Sequence, residues 1–134
     1  MVELTLRQFE MSRALPWLQP AMAKGDTTAG AATLDELLQG AQAFALDDPD
    51  GKQAVCYALR VVQHEKCRVL WVMAAAGRDE NIDLTTTGLV TVERQARNVG
   101  ASQVAITTRR RGLVKKLKTL GYEVTGYTLR KKIQ

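Results

Sequence analysis

The sequence predicts a single α/β (or α+β) domain in which a mixed central sheet is flanked by helices. Its 134 residues suffice for one hydrophobic core and leave little room for two, so residues 1–134 are expected to form one domain. Hydrophobic residues make up 46% and charged residues 25%, the balance of a globular protein. β-Prone runs and segments of helical spacing follow the order β-α-α-β-β-β-α-β-α-β, which is typical of a sheet with helices on its faces.

Alternation and helical spacing predict the first two elements. Residues 2–6 alternate and indicate a short strand, whereas residues 9–24 carry apolar side chains at helical intervals. Pro16 and Pro20 are expected to divide this helix, because proline lacks the amide donor and clashes with the preceding turn.

A capping box and a turn signal mark the next elements. Thr33 is followed three residues later by Glu36, so a short helix is expected to begin there and to end at Gly40. Residues 44–47 indicate a strand. The Asp-Pro-Asp-Gly sequence at 48–51 is expected to end this strand and to form a tight turn.

Two long apolar runs are predicted to form the middle of the sheet. Residues 54–62 are β-prone, and residues 63–66 indicate a second reversal. Residues 67–75 are nearly all apolar, which suits a central strand buried on both faces. Asp83 is a natural N-cap for a helix that runs to about residue 99.

The last three elements follow Gly100, which ends that helix. Residues 103–107 predict another buried strand, and residues 112–120 predict a short basic helix with leucines on one face. Residues 122–132 alternate and are expected to form the final strand.

Composition argues against several classes of protein. No run of about 18 apolar residues exists, so a membrane span is not expected, and the N-terminus lacks the pattern of a secretory signal. Cys56 and Cys67 lie in or beside apolar segments and are expected to be free thiols in a reducing cytoplasm. One histidine and two cysteines without C-x-x-C spacing make a poor ligand set, so no metal is expected.

Positive charge is concentrated near the C-terminus. The net charge is +5, but residues 109–134 carry +8 and the other 108 residues carry −3. This distribution predicts an anionic partner, and a solvated helix face is the alternative. Aromatic residues are not interleaved with the basic ones, so sequence-specific RNA binding is not supported. The candidate contact residues are Arg109, Arg110, Arg111, Lys115, Lys116 and Lys118.

Three single residues have two interpretations each. His64 is either a solvated turn residue or a general base. Trp17 and Trp71 either pack in the core or line a ligand cleft, and core packing is the favoured interpretation.

The order of elements over essentially the whole chain resembles the GNAT (GCN5-related) N-acetyltransferase family, and the most specific match is in the C-terminal part. The resemblance is carried by residues 93–101 (ERQARNVGA), by Val-Ala-Ile at 104–106 and by residues 113–122, which end in Leu-Gly-Tyr. The family pattern is a helix with A-x-x-x-G-A, a strand, a short helix, L-G-[FY] and a strand. Arg-Arg-Gly before Leu-Gly-Tyr is also similar to small phage-encoded GNAT-like proteins.

The resemblance implies an acyl-CoA site where two parallel strands of the sheet splay apart. The backbone of residues 73–76 would pair with the pantetheine, and the loop at 77–83 would wrap the pyrophosphate with its N–H groups. The residues implied in binding acetyl-CoA are Met73, Ala75, Gly77, Arg78, Thr85 and Thr86.

Two departures from the family pattern leave the catalytic residues unassigned. The pyrophosphate loop lacks the family's two internal glycines and contains Asp79, Glu80 and Asp83 where phosphate oxygens would lie. Leu117 stands at the position where the family often has a tyrosine general acid, and the central strand contains no carboxylate.

Two functions therefore remain open. The first is a catalytically degenerate GNAT-like binding protein, such as a phage accessory or virion-assembly factor, located in the host cytoplasm or the virion. The alternative is an acetyl-CoA-dependent N-acetyltransferase with a divergent pyrophosphate loop. A protein partner or homo-oligomer is expected, since GNAT-like domains often dimerise through their C-terminal strands.

Overall fold

A computed structural model describes residues 4–78 and 84–133. Five strands and four helices alternate along these residues in an order that matches the α/β class predicted from the sequence. The elements are β1 Thr5–Phe9, α1 Met11–Gly25, α2 Leu34–Leu37, β2 Gln42–Asp47, β3 Gln53–Gln63, β4 Arg68–Gly77, α3 Leu84–Asn98, β5 Gln103–Ile106 and α4 Arg111–Thr119.

The five strands form one mixed sheet in the order β1-β2-β3-β4-β5. The pairs β1–β2, β2–β3 and β3–β4 are antiparallel, so the first four strands form a meander. The pair β4–β5 is parallel, and α3 makes the crossover that a parallel connection requires. The mixed central sheet predicted from the sequence is therefore confirmed.

Helices cover both faces of the sheet. On one face α1 and α2 pack on small side chains of β2 and β3, among them Cys56 and Ala58, which are both fully buried. On the other face α3 packs through Val92 and Ala96 on residues of β3 and β4. The side chains of the sheet that contact α1 are small, so this helix lies close to the sheet.

The local signals in the sequence fold as predicted. The Thr33 hydroxyl accepts a hydrogen bond from the Glu36 amide at 3.2 Å, and the Glu36 carboxylate accepts one from the Thr33 amide at 3.4 Å. Gly51 has a φ of +82°, and its amide donates to the Asp48 carbonyl at 2.9 Å. The capping box and the Asp-Pro-Asp-Gly turn are thus confirmed.

The prediction that two prolines divide the first helix is wrong. Helix α1 continues from Met11 to Gly25 with Pro16 and Pro20 inside it. Both prolines are exposed, so water can reach the carbonyls whose hydrogen bonds they remove. Ala14 and Leu18, both fully buried, anchor the opposite face of the helix and offset the cost.

The predicted final strand is also wrong. Residues 122–133, called the C-terminal segment below, form no strand and lie across a gap of about 1070 Å³ from β5. Alternation predicts an extended chain, but a strand also needs an adjacent edge to pair with. Tyr127 and Leu129 of this segment are 89% and 92% exposed.

Strand β4 is buried on both faces only at its beginning. Val69 and Leu70 are 5% and 2% exposed, but every residue from Trp71 to Gly77 is at least partly exposed. The sequence predicted burial along the whole run.

None of the helices in residues 4–78 and 84–133 has the length and apolar character that a membrane span requires.

Candidate functional site

Strands β4 and β5 diverge at their carboxyl ends. Their parallel pairing covers only four residue pairs and ends at Val72 and Ile106. Strand β4 continues for five more residues to Gly77, and among residues 4–78 and 84–133 its one strand partner there is β3. In a strand, alternate residues direct their N–H and C=O groups to each side, so the β5 side of this stretch carries unpaired backbone groups.

An open cleft of about 1000 Å³ begins at this divergence and is called the β4–β5 cleft below. Its floor is the end of β4, where Ala74, Ala75 and Ala76 precede Gly77. Its walls come from α1, from β3 and from the residues that follow β5. Small side chains on the floor allow a ligand to approach the backbone closely.

A β-bulge lies at the start of the cleft floor. Leu59 of β3 faces Val72, and the next residue, Ala58, faces Ala74, so Met73 is the extra residue on β4. A bulge bends its strand and increases the local twist. The bulge therefore coincides with the point where β4 leaves β5.

The cleft is lined by cations and by no carboxylate among the described residues. Lys24, Arg60, Arg110 and Arg130 come from four separate parts of the chain. Two hydrogen bonds join the segment after α1 to later parts of the chain. The Arg109 guanidinium donates to the Asp26 carbonyl at 3.3 Å, and the Arg130 guanidinium donates to the Thr27 carbonyl at 3.2 Å. The lining favours an anionic ligand.

Both tryptophans lie at the wall of the cleft. Trp17 packs on the α1 core cluster and also lines the cleft, and Trp71 lines it from β4. Both side chains are partly exposed. The two interpretations left open for Trp17 are therefore compatible, since one face can pack while the other faces the cleft. His64 lies in the exposed turn before β4, where its amide donates to the Cys67 carbonyl.

Three of the six predicted cofactor residues line the cleft. Met73, Ala75 and Gly77 follow one another along its floor. Gly77 also lets α3 begin close by, because a Cβ built on it would lie 3.1 Å from Cδ1 of Leu84.

Arg78, Thr85 and Thr86, the other three, are not among the described residues that line the cleft. The guanidinium of Arg78 donates to the Asp48 carboxylate at 2.9 Å, in the turn between β2 and β3. Thr85 and Thr86 lie in the first turn of α3. The predicted N-cap Asp83 and the carboxylates of Asp79 and Glu80 fall outside the described residues.

The described residues at the cleft offer no evident general base. Asp26 lies beside the lining residues Gly25 and Thr27, but its carboxylate accepts hydrogen bonds from the Thr28 hydroxyl and from the amides of Thr28 and Gly30. These bonds, the Thr28 hydroxyl first, lower the pKa of Asp26. A carboxylate held in this way is a weak proton acceptor.

Neither Leu117 nor Tyr122 is placed to act as the general acid. Leu117 is 6% exposed on the packed side of α4. The hydroxyl of Tyr122 donates to the Glu93 carboxylate of α3 at 2.9 Å. Burial and this carboxylate together raise the pKa of Tyr122, so its proton is held firmly.

Sequence analysis missed Arg60, Thr107 and Thr108 as lining residues. The signal for Arg60 was present: it is one arginine within the β-prone run at 54–62. Thr107 and Thr108 follow β5 directly, at the carboxyl end of a parallel strand, where ligand sites in such sheets are found.

The fold and the cleft together define a structural class of protein. The class is an α/β domain whose neighbouring parallel strands diverge at their carboxyl ends and leave a cleft lined by cations. No protein-family model matches the chain, and no curated protein matches it in sequence. The comparison therefore depends on solved structures.

Acetyltransferase structures match the whole chain. An acetyltransferase from Trypanosoma brucei is 14% identical, with a TM-score of 0.64, and the match covers 98% of this chain and 100% of that one. Glucosamine-6-phosphate N-acetyltransferase from Arabidopsis thaliana is 10% identical, with a TM-score of 0.62 and coverage of 98% and 99%. The aminoglycoside N-acetyltransferase AAC(6')-Iy in complex with CoA is 14% identical, with a TM-score of 0.62 and coverage of 100% and 97%. The chain has the GNAT acetyltransferase fold.

Proposed function

We propose that the protein binds an acyl-CoA in the β4–β5 cleft and transfers its acyl group to an amine. The observation that carries the proposal is the early end of the β4–β5 pairing at Val72 and Ile106, which leaves five residues of β4 unpaired on one side. An amide-containing chain such as pantetheine can pair with such an edge as another strand would.

The residues present fit this ligand. Met73, Ala75 and Gly77 would hold the pantetheine through their backbone, and the small residues Ala75 and Gly77 leave room for it. Arg110 and Arg130 would neutralise phosphate charge, since both line the cleft on the side that follows β5. The absence of carboxylates from the described lining removes the strongest repulsion that an anionic ligand would meet.

The reaction would depend mainly on positioning. Acyl-CoA, when bound, supplies the acyl group as an activated thioester. The chain contributes by fixing that group on the floor of the cleft beside a bound amine, and such proximity can account for most of a rate acceleration. The amine would attack the thioester carbonyl, the carbon–sulfur bond would break, and CoA would leave as a thiolate. Water would take the amine proton and supply one to the thiolate, because no histidine or carboxylate is found among the described lining residues.

Calorimetric titration with acetyl-CoA tests the binding step. Ala75→Phe places an aromatic ring on the cleft floor and should abolish binding, whereas Val61→Phe changes an exposed residue of β3 outside the cleft and should not. Release of free CoA thiol with a panel of primary amines then tests transfer, with an amine-free reaction as the blank. Equal acetyl-CoA affinity in wild type and Ala75→Phe would contradict the proposed site.

A second candidate is a GNAT-fold protein that binds acyl-CoA or a partner without catalysis. The observation that favours it is that the described residues at the cleft include no evident general acid or base, since Leu117 is buried and Asp26 is engaged by Thr28. A phage accessory or virion-assembly role is a form of this candidate. Acetyl-CoA binding without thiol release for any amine would favour it over the transferase.

We also propose that the basic α4 surface attracts the anionic ligand to the cleft. This surface comprises Arg109, Arg110, Arg111, Lys115, Lys116 and Lys118. All of these except Lys116 are exposed, and Arg110 also lines the β4–β5 cleft. Exposed cations beside a cleft raise the local concentration of an anion and its rate of entry.

A second copy of the chain is the proposed protein partner. The C-terminal segment exposes Tyr127, Leu129 and Ile133, each at 84% or more, and forms no strand. Strand β5 lies at the edge of the sheet and has β4 as its one strand partner among residues 4–78 and 84–133. We propose that the C-terminal segment of one copy pairs with β5 of the other, which would satisfy both features.

A further inference from the structure

Arg60 is a cation on the sheet face that α1 covers. It is separated by one residue from Ala58 on β3, so its side chain leaves the sheet on the same face as Ala58 and Cys56, which belong to the α1 cluster. Its strand partner is Trp71. Its Cδ lies 3.7 Å from the position that a Cβ on Gly40 would take, so the side chain extends past the end of α2.

The Nε of Arg60 is buried and has no hydrogen-bond partner among the described residues. No ion pair of the described residues involves this guanidinium, and no carboxylate among them lines the cleft that it faces. A buried donor without an acceptor is costly, and a guanidinium presents its donors in a planar fork that matches a carboxylate. Because Arg60 also lines the cleft, a ligand carboxylate bound there would give this guanidinium the ionic partner that the described residues do not supply.

Arg60 shares the cleft lining with apolar side chains, and it comes from a different part of the chain than the cations assigned to phosphate. Trp17, Leu37 and Trp71 line the cleft with it and supply an apolar wall. The cations assigned above to phosphate, Arg110 and Arg130, come instead from the residues after β5 and from the C-terminal segment. Arg60 and its strand partner Trp71 therefore place a cation beside an indole ring in the cleft lining.

We infer that Arg60 binds the carboxylate of the acyl acceptor, and that the acceptor is an α-amino acid with an apolar side chain. The carboxylate meets the guanidinium fork, and the apolar side chain lies against Trp17 and Trp71. The inference rests on the proposed transferase function, because it assigns the acceptor of that same site.

Direct binding tests this assignment without any need for turnover. The chain contains two tryptophans and both line the cleft, so tryptophan fluorescence excited at the red edge responds to a ligand bound there. The probes are N-acetylphenylalanine and its amide, which have the same shape but end in a carboxylate and in a neutral carboxamide respectively. The carboxylate should quench fluorescence with at least tenfold higher affinity than the amide in the wild-type protein.

Variants of Arg60 identify the group responsible. Arg60→Gln should abolish the preference for the carboxylate probe, and Arg60→Lys should restore part of it, because lysine keeps the charge but not the fork. Arg94→Gln removes an equal charge from an exposed position on α3 and should leave the preference intact. Equal affinity for the two probes in the wild-type protein, or an unchanged preference in Arg60→Gln, would overturn the inference.

Kinetics separate failure of this inference from failure of the proposed function. With acetyl-CoA and phenylalanine, Arg60→Gln should raise KM for the amino acid at least tenfold while kcat and the acetyl-CoA Kd stay within about twofold. A rise in the acetyl-CoA Kd would assign Arg60 to the cofactor and contradict the inference alone. Absence of acetyl-CoA binding in the wild-type protein would instead contradict the proposed function.

Discussion

Gly77, the last residue of β4, lies so close to Leu84, the first residue of α3, that a Cβ on the glycine would sit 3.1 Å from the leucine Cδ1. The contact brings the start of α3 against the end of the cleft floor. Gly77→Val should lower the free energy of unfolding by about 1–3 kcal/mol, because its methyl groups overfill this space.

Urea denaturation measures this change. Gly126→Val is the matched control, since no atom lies within 4 Å of the corresponding Cβ position, and it should change stability by less than about 0.5 kcal/mol. A Gly77→Val protein as stable as the wild type would mean that the Leu84 side chain moves aside to make room for the new methyl groups.

Arg7 and Asp47 join β1 to β2 through two hydrogen bonds, each 2.9 Å long. The Arg7 guanidinium lowers the pKa of Asp47, so the carboxylate stabilises the fold above its ordinary pKa of about 4, and this contribution is lost as the pH falls through the lower folded value. Asp47→Asn should therefore cost about 0.5–1 kcal/mol at pH 7, with a difference that shrinks below about pH 4.

Thermal or urea unfolding of both proteins at several pH values tests this expectation. Asp50→Asn, which changes an exposed turn residue, serves as the control and should match the wild type across the range. A cost of Asp47→Asn that is the same at pH 7 and pH 3 would show that the charge of Asp47 is not responsible.

The basic α4 surface should make acetyl-CoA binding depend on salt. Replacing Arg111, Lys115 and Lys118 by glutamine should weaken binding about three- to tenfold at low salt, and the difference should fall at high salt because exposed charges are screened. Calorimetry at two salt concentrations measures both effects.

A second triple variant controls for total charge. Lys52, Lys66 and Arg94 are exposed and lie outside the cleft lining, so their replacement by glutamine removes the same charge at other positions. Equal losses of affinity in the two triple variants would mean that net charge, rather than this surface, attracts the ligand.

Local chemistry explains which elements the sequence could predict. The Thr33–Glu36 capping box and the turn at 48–51 depend on residues no more than four positions apart, so their patterns determine their structure. Pro16 and Pro20 follow an equally local rule, but burial of Ala14 and Leu18 against the sheet overrides it. Tertiary packing of this kind is not visible in a pattern of single residues.

The cleft could be predicted only in part for a related reason. The apolar run of β4 indicated a central strand, but where its pairing with β5 ends depends on the bulge at Met73 and on the chain path after Ile106. Arg60 was missed because alternation shows that it shares a face with Ala58 but not which helix covers that face. The burial of a side chain and its hydrogen-bond partners depend on tertiary packing, so they are known only from the structure.

Dimerisation through the C-terminal segment should be visible in the sedimentation of the protein. The wild type should sediment as a dimer at micromolar concentration, because pairing with β5 of a second copy buries Tyr127, Leu129 and Ile133, which a lone chain exposes. Leu129→Glu with Ile133→Glu should give a monomer, since carboxylates at these positions would have to be desolvated in the paired state. Val90→Glu is the control, because Val90 is 53% exposed on α3 and should leave the dimer intact. A wild-type monomer at 100 micromolar protein, or a dimer that survives the double substitution, would contradict the pairing, and the exposed segment would then need a different partner.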